Sequence, residues 1–280
     1  RVYESNAWIS RHVALSVRDE LRNYFDIVER ESSQGKLPNL ITTILDSSGL
    51  QNIHADRQSW VTLTPSQKAF LTDPQRKPLD KFLKARIQHY QQEFQLDQTK
   101  PKIASLFIVG PQGDMLGIAF SPGEIRGQRQ SIGRYYGYRN YFHGGPRDFA
   151  QDIESRATAT ISNTHLSRAF QSTQTRKWKI AITTPIFLPA NQSDQASQAD
   201  PSNPANHGEL IGIMAVTVNL GDFSSLKNDN LNENHFAVFI DDRAGSETGG
   251  QRRGTILQHP AMDELDSTPD KPFQLSPKQL

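Results

Sequence analysis

Two long β-type runs, residues 178–187 and 210–220, constrain the fold of this chain more than any other feature. Both are rich in Ile, Val and Thr, the residues that fit a pleated, half-buried surface, so they predict two antiparallel strands of one sheet. Residues 189–208 lie between them, rich in Asn, Gln, Ser, Asp, Ala and Pro and without periodicity. That composition predicts a long polar hairpin tip. Two shorter apolar runs, 104–109 and 115–120, flank Gly110-Pro111-Gln112-Gly113-Asp114. Turn chemistry between apolar runs predicts a β-hairpin. Residues 161–171 read as one further strand with the loop leading into it.

The N-terminal third is helical in pattern. Ile9, Val13, Val17, Leu21, Phe25 and Val28 recur at about i, i+4, with Tyr24 beside them. They predict one amphipathic helix over residues 4–32, on the order of 40 Å long at 1.5 Å per residue. It packs on its own domain or serves a dimer. Gln34-Gly35-Lys36-Leu37-Pro38 breaks it, and Pro38 suits the first turn of a second helix reaching Leu45. Thr64-Pro65 is an N-cap followed by Pro at the first helical position, opening a helix through Leu71. Pro78 opens another, in which Phe82, Arg86, Tyr90 and Phe94 repeat at i+4. These helices form a cap and a layer.

Residues 135–142, Tyr-Tyr-Gly-Tyr-Arg-Asn-Tyr-Phe, hold four tyrosines, one phenylalanine and one arginine in eight positions. The run is too polar for a core strand and too aromatic for a solvated loop. An arginine among aromatic rings can fork onto a carboxylate while the rings exclude water. Arg139 therefore either anchors a ligand carboxylate, with Tyr141 and Phe142 as walls and Tyr136 beside them, or stacks between tyrosines and caps a sheet edge. Arg126, Arg129 and Arg134 add positive potential at the same mouth. His165 precedes a strand and points into this cleft or to solvent. Trp60 and Trp178 are read as core residues.

Lys plus Arg number 31 and Asp plus Glu number 30 in 280 residues. This balance gives no bulk electrostatic reason to expect a nucleic-acid partner. The chain has no cysteine, which removes disulfides, thiolate metal sites and cysteine nucleophiles together. The eight histidines are scattered, with no pair at the spacing of a helical or strand metal site, and no metal or other cofactor is expected. Gly-x-Ser-x-Gly, His-Glu-x-x-His and Gly-Lys-Ser/Thr patterns are absent, so no catalytic residues are assigned. No apolar run approaches the roughly 20 residues of a membrane span. The chain begins with Arg1 rather than Met, which predicts a piece of a longer protein whose anchor and effector lie outside it.

The layout resembles the double Cache sensor domains of bacterial transmembrane receptors. The resembling features are the long N-terminal helix, the hairpin, the Arg139-x-Tyr141-Phe142 segment, Trp178-Lys179-Ile180-Ala181-Ile182-Thr183-Thr184-Pro185-Ile186, and Gly208-Glu209-Leu210-Ile211-Gly212-Ile213-Met214-Ala215-Val216-Thr217-Val218. Tyr141-Phe142-His143-Gly144 and Gly254-Thr255-Ile256-Leu257-Gln258-His259-Pro260 look most like the versions fused to receptor-type Ser/Thr protein kinases. The resemblance implies an α+β fold: a long N-terminal helix spanning two PAS-like modules with antiparallel sheets, the second incomplete here. Residues 1–100 would form the helix and helical cap, 101–224 the membrane-distal module, and 225–280 part of the membrane-proximal one. Read from the residues alone, the strand 235–240 ends in Asp241-Asp242-Arg243, a solvated turn or a cation site, and a further strand follows Gly249-Gly250.

The resemblance also implies a non-enzymatic, extracytoplasmic domain held at the cell membrane by segments outside this chain. The sequence shows no exposed heptad seam, so the domain is expected to be a monomer or weak dimer in isolation. Its ligand would be a small molecule in the distal module. In amino-acid-binding members an Arg and an aromatic two residues later hold the carboxylate, and Arg139 and Tyr141 match them. The positions that would hold the amine look like His165 and Thr217, so the amine-binding carboxylate is missing and a small organic acid, or another polar molecule with a carboxylate-like edge, is expected instead.

Overall fold

The computed structural model describes residues 2–55, 64–124, 131–149, 160–188, 208–226, 238–243, 253–259, 262 and 274. The expectations for Trp60, Arg126, Arg129, the hairpin tip at 189–207, the start of the strand over 235–240 and Gly249-Gly250 lie outside the described residues. The chain is an α+β protein, as its sequence predicts.

Its helices are α1 (Val2–Ser32), α2 (Leu37–Leu45), α3 (Ser48–Ala55), α4 (Pro65–Leu71), α5 (Lys77–Leu96) and the single turn α6 (Asn140–His143). Local chemistry sets several ends. Thr64 accepts the Gln67 N–H at 3.2 Å and the Gln67 side chain accepts the Thr64 N–H at 3.0 Å, a reciprocal capping box that starts α4. Helix α6 stops at Gly144, whose φ of 71° is a left-handed conformation that glycine adopts without strain.

The strands are β1 (Ser105–Val109), β2 (Met115–Phe120), β3 (His165–Leu166), β4 (Phe170–Gln171), β5 (Trp178–Phe187), β6 (Leu210–Asn219), β7 (Phe239–Asp241) and β8 (Thr255–Gln258). The main sheet has the order β2-β1-β6-β5-β3, with β4 also paired to β5. Every one of these pairs is antiparallel. The predicted single strand over 161–171 is instead two short pieces. The Arg168 N–H leaves the ladder to donate to Asn140 Oδ1 at 2.7 Å, which interrupts pairing with β5. Trp178, expected in the core, is half-buried and packs against the core from outside.

Alternation along the strands gives the sheet two distinct faces. Leu106, Ile108, Ile180, Ile182, Val216 and Val218 share one face with Gly117 and Gly212. This face takes the helices: a Cβ at Gly117 would sit 3.0 Å from Leu83 and 3.1 Å from Leu79 on α5, and one at Gly212 3.9 Å from Ile41 on α2. The opposite face carries Ser105, Phe107, Lys179, Ala181, Thr183, Ala215, Thr217 and Asn219.

Helix α1 lies along the sheet and is tied at both ends of its buried stretch. Among its described side chains, those from Arg11 on, the buried ones are Val17, Glu20, Tyr24, Ile27, Val28 and Glu31. Two of these are acids, and each has partners. Glu31 accepts from Arg86 at 2.8 and 2.6 Å and from the Tyr90 hydroxyl. Glu20 accepts the N–H groups of Ser224 and Ser225 at 2.9 and 2.8 Å and both of their hydroxyls.

Strands β7 and β8 form a second, two-stranded sheet next to the first. The Gly221 N–H donates to Leu257 O at 2.9 Å, and the Phe223 and Phe239 rings meet edge-on at 5.2 Å. Asp241 corrects the sequence reading of a solvated turn. It is 6% exposed and bound by Arg168 at 3.0 Å and by Arg243 at 2.8 and 2.7 Å. Burial alone would raise its pKa, but these two guanidinium groups hold it below the usual aspartate value.

Candidate functional site

The aromatic-Arg segment is anchored before it reaches the sheet face. Residues 131–136 run beside the β1–β2 hairpin: Met115 N–H donates to Arg134 O at 2.9 Å, Gly133 N–H to Met115 O at 2.8 Å, and Tyr136 N–H to Gly113 O at 2.6 Å. Gly113 makes this close approach possible. Its φ is 88°, and a Cβ there would fall 2.6 Å from the Tyr135 ring and 2.8 Å from the Gly137 backbone. Tyr136 then fixes its hydroxyl to Ser131 Oγ at 3.0 Å and Thr173 Oγ1 at 2.9 Å. Arg134 is half-buried, with its carbonyl engaged in the hairpin.

From this anchor the chain turns over the sheet face opposite the helices. Arg139 is extended, at φ −78° and ψ 140°, and precedes the one-turn helix α6. Thr183 Oγ1 donates to Tyr141 O at 3.0 Å and so pins α6 to β5. The Tyr141 ring lies 5.3 Å from Phe107 of β1 and 5.3 Å from Phe170 of β4. Burial pushes the Tyr141 phenol well above its usual pKa, so it stays a neutral wall. Phe142 turns into the core and is 1% exposed.

Arg139 stacks as well as pairs. Its guanidinium carbon sits 5.0 Å over the Tyr138 ring and 5.3 Å over the Phe170 ring, and Tyr138 stacks on Tyr136 at 6.3 Å. Phe107, Tyr141, Phe170, Arg139, Tyr138 and Tyr136 thus form one continuous row. Nη1 binds Asp148 Oδ2 at 2.8 Å and Nη2 donates to Gln171 O at 3.3 Å, while Nε is buried without a hydrogen-bond partner. Burial works against the charge, but Tyr138, Asp148 and Tyr141 around it raise its pKa above the ordinary arginine value. Arg139 is a permanent cation here.

His165 extends the same face at the sheet edge, opposite Thr183. Its Nε2 is buried and has no hydrogen-bond partner. Burial first, then the charges of Arg243, His143 and Arg168, lower its pKa to about 4, so the imidazole is neutral near pH 7. His143 fixes its own tautomer. Its Nδ1 accepts the Gly145 N–H at 3.0 Å, which leaves Nε2 to donate to Tyr138 O at 3.1 Å. Thr217 lies in the floor of the face, 1% exposed, with Oγ1 at 2.5 Å from Ser105 Oγ.

The structure therefore joins Arg139, Tyr141 and Tyr136 through one row of rings. His165 and Thr217 share the sheet face that Tyr141 covers, and Phe142 lies behind in the core. Sequence reasoning missed Asp148, Phe170, Phe107 and Thr183. Strand alternation would have placed Thr183 on the Thr217 face, whereas nothing in the spacing pointed to Asp148. It also missed a buried ionic cluster on this face. Lys179 Nζ and Lys177 Nζ hold the two oxygens of Glu124 at 3.0 and 2.8 Å, and Asn219 donates to Glu124 at 2.9 Å. Among the described residues no group of three or more acidic, His or Cys side chains could hold a metal ion.

The sequence matches no protein-family model and no curated protein. Solved structures do match. The sensor domain of the V. cholerae histidine kinase DctB is 12% identical with a TM-score of 0.44, covering 81% of this chain. This chain spans 59% of that one. The ligand-binding domain of the Pseudomonas aeruginosa PAO1 amino acid chemoreceptor PctC, in complex with GABA, is 13% identical with a TM-score of 0.42, over 95% of this chain and 79% of that one. The ligand-binding domain of the Pseudomonas fluorescens chemoreceptor CtaA, in complex with L-serine, is 13% identical with a TM-score of 0.33, over 90% and 77%. All three neighbours are sensor or ligand-binding domains.

Proposed function

We propose that this chain is the extracytoplasmic ligand-sensing domain of a transmembrane signalling receptor of the double Cache type. It binds a small organic acid in the module of residues 101–224 and passes the event, through residues 225–280 and α1, to a cytoplasmic effector. The effector is a Ser/Thr protein kinase on the resemblance of residues 141–144 and 254–260. A chemoreceptor or histidine kinase would use the same domain. The domain itself carries out no catalysis. The observation that carries this reading is that Arg139 and Tyr141 are presented over one sheet face by α6, which Thr183 pins to β5. A cation with a buried, unmatched Nε beside an aromatic wall suits a carboxylate.

A second reading has one observation in its favour. Asp148 already supplies a carboxylate to Arg139, as it would in a partner-binding ectodomain with a vestigial pocket. A thermal-shift screen of small acids, amines and sugars separates the two, because a ligand that binds only the native state raises stability. Stabilisation by acids supports the sensor. A broad screen without a stabilising compound overturns it.

A further inference from the structure

We propose that Asp148 is the specificity-determining residue of the Arg139 seat: an internal carboxylate against which any acidic ligand must compete. This rests on the reading of the face as an acid-binding site. Asp148 bridges two donors, taking the Arg139 guanidinium on Oδ2 at 2.8 Å and the Asn140 N–H on Oδ1 at 2.7 Å. The pair is largely shielded from water, with side chains 13% and 19% exposed. In such surroundings a guanidinium–carboxylate contact is worth more than at a wet surface.

An incoming carboxylate therefore meets a cation that already has a negative partner. It can approach the unmatched Nε only against repulsion from Asp148, or replace Asp148 on Nη1. Either route makes Asp148 set the affinity.

The loop that carries Asp148 lies at the surface. It runs Gly144-Gly145-Pro146-Arg147-Asp148-Phe149, with Gly144, Pro146, Arg147 and Phe149 exposed. Its ties among the described residues include the Phe149 N–H to Tyr138 O at 2.8 Å, Phe149 stacked on the His143 ring at 3.9 Å, the Gly145 N–H to His143, and the Asn140 side-chain amide to Gly145 O. Arg139 itself is held from the other side by Phe170, Tyr138 and Gln171 O, so the cation would stay in place when Asp148 leaves.

The test is calorimetry of the full chain with sodium formate, acetate and propionate at constant ionic strength, on the natural protein and on Asp148→Asn. Asparagine keeps the shape and an oxygen for the Asn140 N–H but removes the charge. At least about tenfold tighter binding in Asp148→Asn is expected, since a charged competitor for a guanidinium is lost. Equal or weaker binding in the variant, with the natural protein still binding, overturns the inference and leaves the sensor reading standing. Binding of none of the three acids by either protein sinks the acid-sensing reading and the inference with it. Should Asp148→Asn fail to fold, Asp148→Ser carries the same comparison: tighter acid binding than in the natural protein is expected, and equal or weaker binding overturns the inference.

Discussion

Arg168 and Asp241 form a buried ion pair, Nη1 to Oδ1 at 3.0 Å, that joins the connection between β3 and β4 to the end of β7. The same arginine gives its backbone N–H to Asn140 Oδ1, beside Arg139. Arg243 completes the cluster, donating to Leu166 O at 2.6 Å and Ser167 O at 2.7 Å. One polar chain thus runs from α6 on the main sheet to the second sheet.

Asp241→Ala should destabilise the protein by about 3–5 kcal/mol, because it takes a buried carboxylate away from both Arg168 and Arg243. Urea unfolding measures this. The pH dependence has a definite sign. Asp241 has a folded pKa below its unfolded one, so its contribution is present above the unfolded value and lost as pH falls through the folded value. The natural protein should lose stability on acidification below about pH 4, the ordinary aspartate range, and Asp241→Asn should lose less. An identical acid profile in the variant would rule out this contribution.

His165 gives a second pH signature in a separate window. Its folded pKa is about 4, against an ordinary histidine value of 6.5. Between these values the unfolded chain binds the extra proton, so stability should fall as pH drops from 6.5 toward 4. His165→Gln should flatten that slope while leaving stability at pH 8 nearly unchanged. Denaturant midpoints at half-unit pH steps check it, and an unaltered slope would mean that His165 does not titrate there.

Glu20 is the point where α1 grips the segment after β6. Glu20→Ala would remove the charged acceptor from the half-buried Ser224 and Ser225 N–H groups, at about 1.5–3 kcal/mol for hydrogen bonds to a charged group. The loss should also loosen α1 locally, seen as faster amide exchange at Ser224 and Ser225. Slow exchange there in the variant would mean that another group holds the turn.

Much of the fold was legible because it rests on local patterns. The limits of β2 and β5, the Thr64 cap and the hairpin at Gly110–Asp114 follow from turn residues and β-branched runs. The face of α1 was only partly legible. Its apolar stripe passes through Leu21 and Phe25, which are half-buried, while Glu20 and Glu31 are buried. An acid is read as solvated unless its partners are known, and Arg86, Tyr90, Ser224 and Ser225 are distant in sequence. The candidate site shows the same limit. The Arg139–Tyr141 pair stands out in the sequence, but Asp148, Phe170 and Phe107 reach it only through the sheet. The break at Arg168 was hidden because it depends on Asn140 and Asp241, both far from 161–171.

Thr217 stands where the family resemblance would put the amine-binding carboxylate, and the structure argues against an aspartate there. The side chain is 1% exposed, and its hydroxyl lies 2.5 Å from Ser105 Oγ and 3.4 Å from Ser105 O. A carboxylate there could take the one hydrogen of the Ser105 hydroxyl but would also face the Ser105 carbonyl oxygen, which cannot donate to it. The cation at the adjacent position on this face, Lys179, is already held by Glu124 at 3.0 Å. A buried charge so poorly matched costs several kcal/mol, on the order of 3 or more. Thr217→Asp should therefore be strongly destabilised in urea, and Thr217→Val should lose only about 1 kcal/mol for one hydrogen bond. Neither variant should gain affinity for L-alanine by calorimetry. A stable Thr217→Asp protein that binds L-alanine tightly would show that the floor of this face opens to the ligand and that Thr217 marks an amine seat.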